Sequence, residues 1–143
     1  MAETWSGKSV LIVDDSAIVR DNLANLFGQL GMQIAGTATD GVEALAKAAA
    51  VNPDFISLDI IMPEMDGIEC YRALVKRGTT AKIFFASSLA VEPRVTQSFS
   101  PEIPPEVFLA KPLTRESVTA CLRYFESIQA PPLAAIPAAG LES

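Results

Sequence analysis

The sequence contains no histidine among its 143 residues, and this absence excludes several kinds of chemistry. Without an imidazole the chain cannot form a Ser-His or Cys-His nucleophile pair, a histidine metal ligand or a phosphohistidine of its own. The only two cysteines, Cys70 and Cys121, lie far apart in segments with helical patterns. This spacing predicts reduced core thiols and not a disulfide framework, and it favours a cytoplasmic location.

Long apolar runs and an excess of positive charge are also missing. No stretch approaches the ~20 apolar residues of a membrane span, and the first residues lack the order of a signal peptide. The chain has 11 basic and 17 acidic residues, which gives a net charge of −6. This charge argues against direct binding to nucleic acid or to an acidic membrane surface. We therefore predict a cytoplasmic protein that does not insert into membranes.

Five short apolar runs alternate with longer amphipathic segments. The runs are Ser9 to Val13, Gln33 to Ala38, Phe55 to Leu58, Ile83 to Ala86 and Val107 to Ala110. Runs that are apolar nearly throughout are typical of a parallel sheet covered on both faces. The second run is interrupted by Gln33, Gly36 and Thr37, so it predicts an edge strand. The pattern indicates an α/β fold in which a strand followed by a helix is repeated five times.

Apolar residues at helical spacing fill the gaps between these runs. Ser16, Asp40 and Thr114 are predicted helix caps, and Glu43 has the spacing of a capping box after Asp40. The fourth helix, over Pro93 to Ser100, is predicted to be short or irregular because its apolar stripe is thin and prolines follow it. We predict three segments: an N-terminal extension over 1–7, one domain over 8–128 and a flexible Pro/Ala-rich tail over 129–143.

Polar side chains directly follow four of the five predicted strands. They are Asp14 and Asp15 after the first strand, Asp59 after the third, Ser87 after the fourth and Lys111 after the fifth. Each of these residues, taken singly, has a local explanation such as helix capping or solvation. Ligands of open parallel sheets, however, bind beyond the carboxyl ends of the strands. The combination therefore indicates a site at this edge.

Three carboxylates at one edge need a counter-charge. Two unit charges 4 Å apart repel by about 4 kcal/mol at an effective dielectric near 20, so the group must bind a cation or take up protons. Mg²⁺ fits because it prefers oxygen ligands and retains several waters. Asp59 is the predicted nucleophile toward a phosphoryl group, the pair Asp14 and Asp15 is suited to hold the metal, and Lys111 adds a second positive charge. Ser87 could donate a hydrogen bond to the phosphate.

Four ordered motifs carry a family resemblance. They are LIVDDS at Leu11 to Ser16, LDIIMPEMDGIE at Leu58 to Glu69, FFASS at Phe84 to Ser88 and FLAKP at Phe108 to Pro112. Over Lys8 to Ile128 the chain resembles the response-regulator receiver domain of two-component signalling, in particular the receivers of chemotaxis. The resemblance implies a doubly wound, flavodoxin-like sheet with strand order 2-1-3-4-5 and helices on both faces.

The resemblance also implies a role for each site residue. Asp59 would accept a phosphoryl group from a partner histidine kinase or phosphotransfer protein, and the chain would then act on an unidentified downstream protein. Asp14 and Asp15, together with Asp59, would organise Mg²⁺, and the backbone carbonyl of Ile61 would be a further metal contact. The resemblance thus describes a phosphoacceptor that catalyses its own phosphorylation and dephosphorylation, and not a turnover enzyme.

The resemblance also implies roles for residues in the motifs at the last two predicted strands. Ser87 would be the switch hydroxyl, Lys111 would contact the phosphate, and Phe108 would occupy the position of the aromatic switch. The Lys111-Pro112 bond is expected to be cis, as in the family. Two departures stand out: Ile61 offers no amide or carboxylate to orient an attacking water, which predicts slow self-dephosphorylation, and the proline-rich stretch Ser100 to Glu106 predicts an unusual partner.

Other functions remain open at this stage. A small Mg²⁺-dependent phosphatase could use the same aspartyl-phosphate chemistry, although the short loops leave little room for a substrate pocket. An inert receiver-like scaffold is a further possibility, but every required acid, hydroxyl and ammonium group is present. The tail after Gln129 could be a linker from a longer regulator with an output domain, and a stand-alone receiver is the simpler interpretation.

Overall fold

A computed structural model describes residues 5–87 and 103–129, which form a five-stranded parallel sheet with helices packed around it. The strands are β1 (Ser9–Val13), β2 (Gln33–Ala38), β3 (Phe55–Leu58), β4 (Lys82–Ser87) and β5 (Phe108–Ala110). The helices among the described residues are α1 (Ala17–Gln29), α2 (Gly41–Val51), α3 (Gly67–Lys76) and α4 (Arg115–Gln129). The strand order is β2-β1-β3-β4-β5, which confirms the predicted topology.

Strand positions follow the apolar runs closely. The first three strands begin and end at the predicted residues, whereas β4 is longer by one residue at each end. The fifth strand begins one residue later than predicted because Pro105–Val107 forms a 3₁₀ turn, in which the Val107 N–H donates to the Pro104 carbonyl at 3.3 Å. The apolar period therefore locates the strands, and turn geometry sets the remaining boundaries.

The edge position of β2 is confirmed. Among the described strands, β1 is the one partner of β2, and the first two residues of β2, Gln33 and Ile34, are exposed. The register shifts between Val10 and Leu11, so Ala35 is an extra residue on β2. In contrast, β3 has β1 and β4 on its two sides and is buried along its whole length.

Helix caps bear out part of the sequence prediction. The side chains of Ser16, Asp40 and Thr114 accept hydrogen bonds from backbone N–H groups in the first turns of α1, α2 and α4. The capping box predicted at Asp40 is wrong: the Glu43 carboxylate accepts from the backbone N–H and the hydroxyl of Thr39, at 2.7 and 2.9 Å. Glu43 thus fixes the end of β2 and not the cap residue itself.

Two predicted segments fall largely outside the described residues. Residues 88–102 include the predicted short helix at Pro93 to Ser100 and the start of the proline-rich stretch. Residues 130–143 include nearly all of the predicted tail. Across 5–87 and 103–129, no helix has the length and apolarity needed to cross a membrane.

The core extends from the sheet to the N-terminal residues that the structure describes. Trp5 is buried, and the Cζ atom of Arg123 lies 5.9 Å from the centre of its ring. The Gly7 N–H donates to the Gly31 carbonyl at 2.7 Å, which attaches this segment to the turn before β2. Cys70 and Cys121 are free and buried, as predicted, and burial raises the pKa of their thiols to about 11 and about 12.

Candidate functional site

Two buried aspartates lie next to each other at the carboxyl ends of the strands. Asp14 directly follows β1 and Asp59 directly follows β3, and these strands are neighbours. The ladder continues one residue beyond the strands, because the Asp14 N–H donates to the Ala38 carbonyl and the Asp59 N–H to the Val13 carbonyl, each at 3.0 Å. Backbone hydrogen bonds therefore fix both residues at the same level of the sheet.

A third carboxylate joins this pair. One carboxylate oxygen from each of Asp14, Asp15 and Asp59 lies within 4.8 Å of the others. Asp14 and Asp59 are 1% and 6% exposed, whereas Asp15 is exposed. The cluster is thus buried on the side of the sheet and open to solvent on the side of Asp15. The convergence predicted from the sequence holds for all three acids.

Lys111 brings an ammonium group to the two buried acids. Its Nζ lies 2.6 Å from Asp14 Oδ2 and 3.5 Å from Asp59 Oδ1. Asp14 Oδ1 accepts from the Ser16 N–H at 2.9 Å, but Oδ2 is buried and has no well-directed hydrogen-bond donor. Its contact with Lys111 is an ion pair without hydrogen-bond geometry, so this oxygen keeps lone pairs available for a cation.

The environment of Asp59 raises its pKa above the ordinary value of 3.8. The largest cause is burial, followed by the negative charge of Asp14, while the ammonium of Lys111 acts in the opposite direction. A raised pKa means that the folded protein holds this proton to a higher pH than the unfolded chain does. The contribution of Asp59 to stability is therefore largest at low pH and falls as the pH rises through the raised pKa.

Because folding raises the pKa of Asp59, we expect Asp59→Asn to stabilise the metal-free protein at neutral pH. The amide is nearly the same size but carries no charge to desolvate, so we expect a gain on the order of 1 kcal/mol in the free energy of unfolding. The gain should shrink as the pH is lowered below about 4, where the parent carboxyl is protonated in both states. Urea unfolding across this pH range measures it, with Asp21→Asn on the exposed surface as the charge-matched control. A variant no more stable than its control at neutral pH would contradict the prediction.

The loop after β3 presses against Asp59. Gly67 opens α3, and a Cβ built on it would overlap the Asp59 carbonyl oxygen and lie 2.8 Å from the Ile60 Cα. A complete capping box between Asp66 and Glu69 holds this end of the helix. Ile61, two residues beyond Asp59, is 59% exposed. The loop therefore fixes the backbone of Asp59, and the apolar side chain two residues beyond it is exposed to solvent.

The residues predicted at the last two strands occupy the same end of the sheet. The Ser87 backbone pairs with Ala110, the residue before Lys111, while the Ser87 side chain lies outside the described part of the structure. Phe108 is buried, and its ring stacks on Phe85 with the centres 4.9 Å apart and the planes 13° apart. The Lys111-Pro112 peptide bond is cis, as predicted.

Two residues near the cluster have no counterpart among the sequence predictions. Arg20 in α1 donates from Nη1 to the Asp14 backbone carbonyl at 2.8 Å. No motif or periodicity in the sequence predicts this contact between a side chain and the backbone. Gly67 lies within the motif Leu58 to Glu69, but the sequence pattern predicts no contact for it. The pair Asp-Gly before a helix is common, so its close approach to Asp59 could not be distinguished from ordinary turn chemistry.

The donor set suits a hard divalent cation. It consists of one carboxylate oxygen from each of the three aspartates, and among the described residues no cysteine or histidine joins the cluster. Asp14 also has a buried oxygen, Oδ2, without a hydrogen-bond donor. Mg²⁺ and Ca²⁺ prefer such oxygen ligands, and Mg²⁺ usually keeps several waters, which the exposed side at Asp15 would admit. The residues present therefore fit a metal of this class.

Comparison with known proteins identifies the family. The model of the response regulator receiver domain matches residues 10–123. The chain is 35% identical to chemotaxis protein CheY of Thermotoga maritima over 116 residues, which span 81% of this chain and 95% of that protein. It is 40% identical to a protein-glutamate methylesterase/protein-glutamine glutaminase of Archaeoglobus fulgidus over 78 residues, but these cover only 22% of that longer protein.

Solved structures agree with this assignment. The CheX-CheY-BeF₃-Mg²⁺ complex of Borrelia burgdorferi contains a chain 32% identical to this one, with a TM-score of 0.72 and coverage of 88% of this chain and 92% of that one. The response regulator domain of Thermotoga maritima CheB is 31% identical, with a TM-score of 0.67 and coverage of 86% and 94%. With its sheet order and acidic edge, the chain belongs to the response-regulator receiver domain family of two-component signalling.

Proposed function

We propose that this chain is a phosphorylation-dependent switch in which Asp59 accepts a phosphoryl group from a partner histidine kinase or phosphotransfer protein. The observation that carries the proposal is the contact of one ammonium, Lys111, with two buried carboxylates beside a third. Such an arrangement supplies a nucleophile together with positive charge where the transferring oxygens would lie. Phosphorylation would change a protein-binding surface of the domain.

Each residue of the cluster has a distinct part in the proposed reaction. An Asp59 carboxylate oxygen attacks phosphorus, an O–P bond forms, and the bond from phosphorus to the donor breaks so that the donor leaves with its electron pair. The Lys111 ammonium stabilises the negative charge on the phosphoryl oxygens. Asp14, Asp15 and Asp59, with the Ile61 backbone carbonyl, would hold Mg²⁺, which when bound supplies further neutralisation of that charge.

The proposed response to phosphorylation involves Ser87 and Phe108. The phosphoryl group adds roughly −1.5 to −2 charge and accepting oxygens, to which the Ser87 hydroxyl would donate. Since the Phe108 ring is already buried against Phe85, it needs little movement to follow a shift of β4. Movement of these neighbouring strands would alter the surface around β4 and β5, which a downstream protein would then recognise.

A direct test uses a small phosphodonor and requires no partner. The protein is incubated with phosphoramidate in the presence of Mg²⁺ or EDTA, and reduction with borohydride then converts any aspartyl phosphate into a stable product that mass spectrometry can locate. We expect one phosphoryl group per chain, at Asp59, formed only with Mg²⁺. Modification of another residue, or equal modification in EDTA, would refute the proposal, and continuous release of phosphate over many turnovers would favour a phosphatase.

The side chain of Ile61 predicts a long-lived phosphorylated state. It is exposed and follows Asp59 by two residues, but it has no polar atom with which to orient a water for attack on phosphorus. We expect Ile61→Asn to shorten the lifetime of the phosphorylated protein by about 10-fold, which is less than the effect of about 100-fold or more given by a general base, because an amide orients water but does not take its proton. Ile61→Leu is the matched control and should leave the lifetime unchanged. Loss of the phosphoryl group is followed after removal of the donor, and equal lifetimes in parent and Ile61→Asn would count against this role.

A further inference from the structure

Arg20 makes a contact that helix stability does not explain. It lies in the first turn of α1, close to the N-terminus, where the positive end of the helix dipole disfavours a cation. No acidic residue accompanies it in that turn. Its side chain nevertheless reaches back to β1 and donates from Nη1 to the Asp14 carbonyl at 2.8 Å. The contact with Asp14, and not the stability of α1, therefore accounts for an arginine at position 20.

The carbonyl that Arg20 binds belongs to the peptide between Asp14 and Asp15. The other polar groups of Asp14 are fixed independently: its N–H by Ala38, and its carboxylate by Ser16 and Lys111. The Asp15 carboxylate, in contrast, has no hydrogen bond or ion pair with any residue in 5–87 or 103–129. Its place in the cluster depends on the orientation of the preceding peptide, which Arg20 holds.

We propose that Arg20 is a positioning residue for the cation site: by binding the Asp14 carbonyl it keeps the Asp15 carboxylate turned toward Asp14 and Asp59. This inference rests on the proposed function, in which these acids hold Mg²⁺. Without this hydrogen bond, repulsion among three negative charges would favour an outward rotation of Asp15, which is free to move into solvent. A cation would then have to pull the carboxylate back, and its affinity would fall.

The charge of Arg20 and its hydrogen bond have opposite effects on the affinity of the site for Mg²⁺. A guanidinium near the cluster repels Mg²⁺, so removal of its charge should strengthen Mg²⁺ binding. Loss of the hydrogen bond to the Asp14 carbonyl should weaken Mg²⁺ binding. Salt separates these effects, because the screening length shrinks from about 10 Å at 0.1 M to about 3 Å at 1 M. At high salt the repulsion is largely screened, while the orientation of the peptide still depends on the hydrogen bond.

The test is a calorimetric titration with MgCl₂ of the parent, Arg20→Gln and the control Arg115→Gln, at about 0.1 M and about 1 M KCl. Arg115 is an exposed arginine in the first turn of α4, so its replacement changes the net charge equally. We expect Arg20→Gln to bind Mg²⁺ about 10-fold more weakly than the parent at high salt, and by a smaller factor at low salt. Arg115→Gln should match the parent at high salt.

A second measurement separates positioning from general folding. In the phosphoramidate reaction the Mg²⁺ concentration for half-maximal rate should rise in Arg20→Gln, while the rate at saturating Mg²⁺ stays close to that of the parent. Circular dichroism checks the fold, and if the glutamine variant does not fold, Arg20→Lys, which keeps the charge but lacks the planar donor fork, replaces it. Unchanged Mg²⁺ affinity at high salt would overturn the role of Arg20. A parent that neither binds Mg²⁺ nor accepts phosphate would instead refute the proposed function.

Discussion

Gly67→Ala is expected to destabilise the protein by about 3 kcal/mol or more, a large effect for the addition of one methyl group. The new Cβ would overlap the Asp59 carbonyl oxygen and lie 2.9 Å from its carbonyl carbon, so it meets backbone that cannot rotate away. Either α3 or the end of β3 must move. Urea unfolding monitored by circular dichroism measures the loss.

The same substitution should also slow phosphorylation at Asp59. A shift of the Asp59 backbone by about 1 Å would displace its carboxylate from Lys111 and Asp14, and misplacement of this size can cost about 100-fold in rate. The rate is measured with phosphoramidate, under conditions where circular dichroism shows the variant to be folded. Gly28→Ala in α1 is the matched control, because a Cβ there has no neighbour within 4 Å and alanine is the better helix former. A Gly67→Ala protein as stable as Gly28→Ala would show that the loop adapts freely.

Lys111→Met is expected to destabilise the metal-free protein by about 3 kcal/mol at neutral pH. The substitution leaves the carboxylate of Asp14, which is 1% exposed, with a buried charge and no ion pair among the described residues, because the Arg20 guanidinium contacts the Asp14 backbone carbonyl and not the carboxylate. Asp59 loses the one positive group that lowers its pKa. Methionine keeps the length and apolar character of the stem, so the loss reports the charge. Thermal unfolding with and without Mg²⁺ measures the effect.

Mg²⁺ should restore much of this lost stability, because a cation bound by the same carboxylates replaces the missing ammonium. The increase in melting temperature on adding Mg²⁺ should therefore be larger for Lys111→Met than for the parent. Lys76→Met, on the exposed end of α3, removes the same charge from a residue with no ion pair in the described structure and serves as the control. Equal melting temperatures for the two variants without metal would disprove the electrostatic role of Lys111.

The fold and the acidic cluster were predictable because both follow from simple periodic rules. Apolar runs located β1, β2 and β3 to the residue. The rule that ligands bind beyond the carboxyl ends of parallel strands then groups Asp14, Asp59 and Lys111 at one site from the sequence alone. The strand order itself came from the resemblance, since strand patterns alone do not specify which strands are neighbours.

Capping interactions show where local spacing is insufficient. Asp40 with Glu43 and Asp66 with Glu69 have the same spacing, yet only the second pair forms a reciprocal capping box. At the first pair Thr39 offers both an N–H and a hydroxyl to Glu43, and this double donor wins over the single N–H of the cap residue. Competition between neighbouring donors depends on backbone direction, which spacing does not encode.

The roles of Gly67 and Arg20 could not be read from the sequence for a related reason. Each depends on the approach of two segments that are separated by a turn or a helix start: Gly67 to Asp59, and Arg20 to the Asp14 carbonyl. A glycine before a helical pattern or a basic residue in a first turn has many ordinary explanations. Distances between packed elements are needed to choose among them.

Burial of the single tryptophan provides an optical probe that is separate from the acidic cluster. Trp5 lines a cavity with Lys8 and Asp54, which directly precede β1 and β3, and with Lys82, the first residue of β4. Its indole therefore lies at the amino ends of the strands. The carboxylates lie at the opposite edge. Indole emission will therefore follow global unfolding in the presence or absence of Mg²⁺, without a direct contribution from cation binding, so one sample can report folding and ligation through independent signals.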